Sequence, residues 1–220
     1  MKKNEKVMIY GDYDVDGITS TTVLKKFLSE HGLKEVEYRI PNRLSEGYGL
    51  NKEAIKEIAE EGYQLIITVD CGISGMEEIA YAYELGMEVI VTDHHEPQEQ
   101  IPECVAVIDC KRKDNQYPCK VLAGCGVVLK LIQAISQKQG YPEEEYLKFL
   151  DIICIGTISD IVPLVDENRV IAKLGLKLIH QTRNPGLACL IASTGFQEIN
   201  STTISFGLAP RINACRKNGT

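Results

Sequence analysis

Three aspartates at alternate positions carry the first sign of chemistry in this chain: Asp12, Asp14 and Asp16, in the segment GDYDVDG from Gly11 to Gly17. The pattern begins like an EF-hand calcium loop, which needs Asp at loop positions 1, 3 and 5, Gly at 6 and a bidentate Glu at 12. Counted from Asp12, the twelfth position is Val23, and the segment in front, KVMIY, reads as a buried strand rather than an entering helix. These carboxylates are arranged for something else.

More acids and imidazoles follow. Asp70 lies in TVDCG, Asp93, His94 and His95 in VTDHHEP, and Asp160 in GTISDIVPL, where a long apolar stretch ends before Pro163. A lone Asp after a strand is ordinarily a turn or cap residue, and Asp109 reads that way. Gathered at about 4 Å, however, carboxylates repel by roughly 4 kcal/mol per pair at an effective dielectric near 20, so a cluster calls for cations. Carboxylates with one or two imidazoles suit Mn²⁺ or Mg²⁺ better than a thiolate-rich zinc or iron site does. More acids than one ion can use point to two ions bridged by a shared Asp, the arrangement used in phosphoester hydrolysis. Consecutive side chains leave the backbone in different directions, so His94 is expected on the metal and His95 facing a substrate phosphate. The apolar residues around Asp160 argue against a solvated position for it.

The elements that must position these groups are legible as β-branched runs alternating with helical patterns. Strands are expected near residues 6–10, 36–40, 64–69, 87–92 and 104–108, and helices near 18–31, 51–61 and 74–85. The third helix shows capping-box spacing at Ser74 and Glu77 and a stop at Gly86. Strands apolar on both faces imply an α/β fold, a mostly parallel β-sheet with helices on both sides, followed by a helical C-terminal portion from about residue 121. Ligands of such sheets lie beyond the carboxyl ends of the strands, where the acids and histidines fall.

Composition bounds the alternatives. A chain of 220 residues with 44% hydrophobic and 25% charged residues is globular rather than disordered. No apolar run approaches the roughly 18 residues of a membrane span, and no secretory leader is visible, so the cytoplasm is the expected location. Eight cysteines, none in a C-x-x-C pair and several inside apolar runs, read as reduced small hydrophobes rather than zinc ligands. The net charge of −7 argues against a uniformly basic nucleic-acid surface. It does not exclude a phosphate substrate, because carboxylates that hold cations are less negative than their formal charge. From Ile199 onward there is no acidic residue, while Arg211, Arg216 and Lys217 are present.

Taken in order, YGDYDVDGITS, PNRLSEGYGL, TVDCG, VTDHH, GTISDIVPL and FGLAPRINA resemble the motifs of the DHH phosphoesterase superfamily, and within it the branch of single-strand-specific exonucleases. The resemblance implies a 5′ to 3′ exonuclease on single-stranded DNA, dependent on two Mn²⁺ or Mg²⁺ ions and acting in DNA repair and recombination. It also implies that Asp14 and Asp16 bind one metal each, that Asp70 bridges the two, and that His94 and Asp160 complete the second. Asp12 stands beside them as a further candidate ligand. His95 would touch the scissile phosphate, and Arg211 resembles a phosphate-contacting arginine, a role its planar fork suits. Members of that branch continue into a second domain and usually an OB-fold, neither of which is in this sequence, and NACRKNGT departs from the glycine that usually follows NA. The chain is therefore expected to comprise a catalytic domain over 1–165 and a connecting helix with the start of an inter-domain region over 166–220. The superfamily also offers enzymes of small substrates, such as pyrophosphate, short oligonucleotides or cyclic dinucleotides. A catalytically silent scaffold is the non-enzymatic alternative, against which the retained Asp14, Asp16, Asp70, His94 and Asp160 speak.

Overall fold

The computed structural model describes residues 5–43 and 45–217, with side chains as far as Ala214, so expectations resting on Cys215, Arg216 and Lys217 lie outside the described side chains. Five strands, β1 (Val7–Gly11), β2 (Val36–Arg39), β3 (Leu65–Val69), β4 (Glu88–Asp93) and β5 (Ala106–Asp109), form one sheet in the order β2-β1-β3-β4-β5. Every pairing is parallel. Helices α1 (Val15–Glu30), α2 (Lys52–Glu60) and α3 (Met76–Glu84) connect the first four strands. This strand order reverses its winding between β1 and β3, the crevice where doubly wound sheets hold ligands.

Strand alternation explains why the central runs of β1 and β3 are apolar throughout. In β1, Val7 and Ile9 join one buried cluster while Met8 and Tyr10 join another on the opposite face. In β3, Leu65 and Ile67 face the first and Ile66 the second. The second face is closed by α2 and α3 through Ile55, Ile58 and Ile79. The first is closed by α1 and by the helical half of the chain, in which α4 (Gly124–Gln139), α5 (Glu144–Leu147), α6 (Leu150–Ser159) and α7 (Asp166–Ile179) follow one another. Helix α6 is apolar nearly all round because α1, α4 and α7 surround it. Gly175 on α7 permits the closest approach, since a Cβ there would sit 2.3 Å from Cys154 Cβ. The chain ends in α8 (Pro185–Thr194), then α9 (Ser201–Thr203), which runs through a π-helical turn over Ile204–Leu208 into α10 (Ala209–Lys217).

Three local expectations are corrected. Helix α1 begins at Val15 rather than 18, because the Asp14 carboxylate caps it, accepting from Gly17 N at 3.0 Å; Asp16 therefore lies inside the first turn, not in a loop. The Ser74–Glu77 capping box is not formed, since the helix starts one residue later on Gly75, which makes no side-chain cap bond. The long helical stretch before Asp160 is broken into α5 and α6 around Lys148 and Phe149. Gly86 does end α3, at φ +80°.

Candidate metal centre

Every expected site residue except Arg211 reaches one place, at the carboxyl ends of β1, β3 and β4. Three sets of ligand atoms lie within 4.8 Å of one another: Asp12, Asp14 and Asp70; Asp16, His94 and Asp160; and Asp70, His94 and His95. Asp70 and His94 each belong to two of these sets, so they adjoin. Asp12, Asp16, Asp70 and His94 are buried, and Asp160, the C-cap of α6, is partly so.

Local structure accounts for each position. Asp70 follows β3 in the left-handed region at φ 61°, held there by its N–H donating to Thr92 O at 3.0 Å. Asp is among the few residues that tolerate this conformation, and a strained buried carboxylate at a crevice marks a functional position. Asp16 is gripped by the start of α4: Gly124 N donates to its Oδ2 at 2.6 Å and Cys125 N to its Oδ1 at 2.9 Å. A helix N-terminus favours negative charge there. Gly124 and Gly156 must lack a Cβ, because one would meet Asp70 Oδ1 at 2.5 Å and the other Thr19 Oγ1 at 2.2 Å and Asp16 Oδ1 at 2.9 Å.

The electrostatics match a site built for cations. Burial, joined by the charges of Asp16 and Asp14, drives the Asp70 carboxyl well above its ordinary value. Burial raises Asp12 to about 6, and burial with the charges of Asp16 and Asp14 raises Asp160 to about 7. Burial lowers His94, keeping a ring nitrogen free of its proton. His94 Nε2 lies 3.0 Å from Asp70 Oδ1, 3.7 Å from Asp160 Oδ2 and 3.8 Å from Asp16 Oδ2. None of these approaches has hydrogen-bond geometry, and Asp12 Oδ1 and Asp160 Oδ2 are likewise buried without a hydrogen-bond partner. Orphaned polar atoms are costly and rare in folded proteins. Several converging in one crevice fit divalent cations with oxygen and imidazole ligands.

The two histidines differ in exposure, although their ring centroids lie only 4.5 Å apart. The His94 side chain is 7% exposed and that of His95 44%. The residue that divides them is Asp93, to which sequence reasoning gave no role. Its Oδ1 accepts from His94 N (2.7 Å), His95 N (3.2 Å) and His95 Nδ1 (2.7 Å), and its Oδ2 from Ile73 N at 2.9 Å. Burial works to raise Asp93, but these donors, His95 foremost, hold it below the ordinary carboxylate range. The same bond raises His95. We expect Asp93→Ala to lower metal affinity or turnover about 10- to 100-fold by freeing the orientation of both imidazoles. Mn²⁺ titration of the variant checks this; wild-type affinity and rate together would refute it.

Tyr48 was also missed as a site residue. Its hydroxyl lies 3.2 Å from the His95 ring nitrogens and donates to Asp70 O at 3.4 Å. The PNRLSEGYGL segment that carries it is clasped by Glu46, which accepts from Asn42 N and from Arg39. Arg211, by contrast, is exposed on α10, and its guanidinium donates to Gly207 O at 2.8 Å rather than to any residue of the cluster. Asp109 is more than a turn residue: it is buried, raised by that burial to about 6, and its Oδ2 lacks a partner. The seven cysteines of the described side chains are all unpaired, and none of them joins a metal-binding set.

The raised carboxyls have a consequence for stability. A carboxyl whose pKa is higher in the folded than in the unfolded chain binds more protons when folded, so the metal-free fold loses stability as pH rises from about 4 through 7. Cations offset that loss. The rise in Tm on adding Mn²⁺ is therefore expected to be larger at pH 8 than at pH 5.5, by on the order of 5 °C. Differential scanning at the two pH values, with and without metal, measures it; a shift independent of pH would contradict the cluster's electrostatics.

The domain is a parallel α/β sheet wound about a β1/β3 switch point, with an acid–histidine centre at its strand ends. Residues 6–157 match the DHH family, N-terminal domain, and the chain belongs to that family. It is 47% identical over 216 residues to the single-stranded-DNA-specific exonuclease RecJ of Bacillus subtilis (strain 168), covering 97% of this chain and 27% of that protein. To RecJ of Escherichia coli (strain K12) it is 35% identical over 225 residues, covering 97% of this chain and 39% of the relative. A crystal structure of exonuclease RecJ bound to manganese superposes with a TM-score of 0.90 at 35% identity, over 100% of this chain and 55% of that one. RecJ in complex with Mn²⁺ from Thermus thermophilus gives 0.83 at 32% identity, over 99% and 31%. The chain thus spans about a quarter to two-fifths of the curated relatives it matches. Among the described residues no helix is long and apolar enough to cross a membrane.

Proposed function

We propose that the chain is the catalytic part of a metal-dependent phosphodiesterase that degrades single-stranded DNA from the 5′ end in repair and recombination, in the cytoplasm. The observation that carries the reading is the pair of adjoining ligand sets, Asp12–Asp14–Asp70 and Asp16–His94–Asp160. Their support comes from relatives named as single-stranded-DNA-specific exonucleases and from related structures holding Mn²⁺ or Mg²⁺. Asp12, Asp14 and Asp70 would hold one Mn²⁺ or Mg²⁺, and Asp16, His94 and Asp160 the other, with Asp70 between them. When bound, the two ions would supply Lewis-acid polarisation of the phosphate and activation of water.

The chain's own residues do the rest. Backbone donors from α4 fix the direction of the Asp16 carboxylate before substrate arrives. Asp93 holds His95 through Nδ1, and the resulting preference for the protonated ring leaves Nε2 as a hydrogen-bond donor toward a phosphate oxygen. Exposed Arg211 holds Gly207 O through Nη1, and its remaining N–H donors would be available to a phosphate. The division of the chain into a catalytic part over 1–165 and a connecting part over 166–220 belongs to the same proposal. The test is incubation of the purified chain with Mn²⁺ and 5′- or 3′-labelled single strands, with pyrophosphate and cyclic dinucleotides alongside. Mononucleotide release from single strands supports the reading; hydrolysis of the small substrates alone, or none at all, overturns it.

A further inference from the structure

Immediately after Asp160 the chain does something energetically unfavourable. Ile161 sits at φ 61°, a conformation that a β-branched residue adopts only under constraint, and its side chain stands 88% exposed to solvent. Leu164 and Val165 are exposed as well, at 39% and 49%, while Asp160 itself stays largely unsolvated as expected, its side chain 21% exposed. Single exposed hydrophobics are ordinary, but strain and full exposure at one residue are not. The constraint is visible. Asp160 N is held by Gly156 O at 2.9 Å, and the buried Asn168 side chain ties the loop by donating to Pro163 O at 3.0 Å and Val121 O at 2.6 Å. The surroundings thus over-determine a backbone that gains nothing locally from an isoleucine. Asp160 Oδ2, one residue away, lies 3.7 Å from His94 Nε2 in the acid cluster.

We propose that Ile161 is a substrate-contacting residue: a rigid apolar rest for the nucleoside adjoining the scissile phosphate, with Leu164 extending the surface. The assignment rests on the single-strand nuclease reading. An aliphatic surface held out of the core beside a phosphate-binding centre offers van der Waals contact to any base or sugar without reading its identity, and a base is free to lie on it only when unpaired and unstacked. Ile161 accordingly contributes to the choice of single over double strands as well as to affinity.

The experiment compares the chain with its Ile161→Asn variant on a normal single strand and on one whose residues flanking the 5′-terminal phosphodiester are abasic. Asn accepts the left-handed conformation without the strain, so the Tm of the variant is expected to equal or exceed that of the wild type. Wild-type kcat/KM is expected to favour the normal strand by about five- to tenfold, the scale of a partly buried aliphatic contact. In Ile161→Asn the two strands are expected to converge, by loss on the normal one, as in a double-mutant cycle. A preserved ratio would overturn the contact, and a lowered Tm would show that the side chain is held for packing instead. Absence of cleavage by the wild type on both strands would instead refute the nuclease reading itself.

Discussion

Asp70→Asn is expected to reduce divalent-cation-dependent hydrolysis by at least about 10³-fold while making the metal-free protein more stable, not less. The loss follows from Asp70 belonging to two of the three ligand sets, so that one substitution disturbs the whole centre. The gain follows from electrostatics. Burial and the charges of Asp16, Asp14, Asp93 and Asp160 all push its carboxyl upward, which means that an ionised Asp70 destabilises the empty fold at neutral pH. Asn keeps the shape, tolerates φ 61° and removes the charge. Calorimetric Mn²⁺ titration and thermal melts read the two effects separately. A variant that still binds two ions, or whose metal-free Tm falls well below wild type, would show that Asp70 has a different role.

Gly124→Ala is expected to be nearly as damaging, about 10²-fold in activity with roughly 1–3 kcal/mol of lost stability, although Ala is ordinarily the better helix residue. The added methyl would stand 2.5 Å from Asp70 Oδ1 and 2.8 Å from Asp70 Cβ. Asp70 cannot retreat, because its backbone is tied to Thr92 O. Moving α4 away would pull Gly124 N and Cys125 N off Asp16. Gly126→Ala, two residues along the same helix, is the control: the three atoms nearest its methyl would be Leu122 side-chain atoms, the closest at 3.3 Å. Equal activity in the two variants would show that α4 does not set the geometry of the centre.

The sheet was legible because the faces of its central strands are covered: the apolar β-branched runs of β1, β3 and β4 read as buried strands, and the edge strands β2 and β5, though partly exposed, lie close to where their runs predict. The convergence of Asp12, Asp14, Asp16, Asp70 and the two histidines was legible for a related reason, since parallel strands deliver their ends to one edge. What sequence could not reveal is anything that depends on backbone atoms or on docking. The grip of α4 on Asp16 uses two N–H groups, which every residue but proline possesses, so AGCG carried only the faint signal of its glycines. Asp93 was in plain view beside two histidines, yet its four bonds depend on a turn that only the fold creates. The capping-box spacing at Ser74 misled because a tight turn, in which Gly75 N bonds Gly72 O, shifts the start of α3 by one residue.

The scattering of the centre along the chain, from Asp12 to Asp160, governs how the molecule can reach its working form. Parallel strands β1, β3 and β4 become neighbours only through long crossovers, and Asp160 arrives only once α6 has docked between α1, α4 and α7. Each such closure costs chain entropy before any contact rewards it, which makes these pairings slow relative to local helix formation. A cation with high affinity for the assembled crevice therefore has almost nothing to hold in a half-formed molecule. Ion capture by the complete centre thus follows the docking of α6 rather than guiding it.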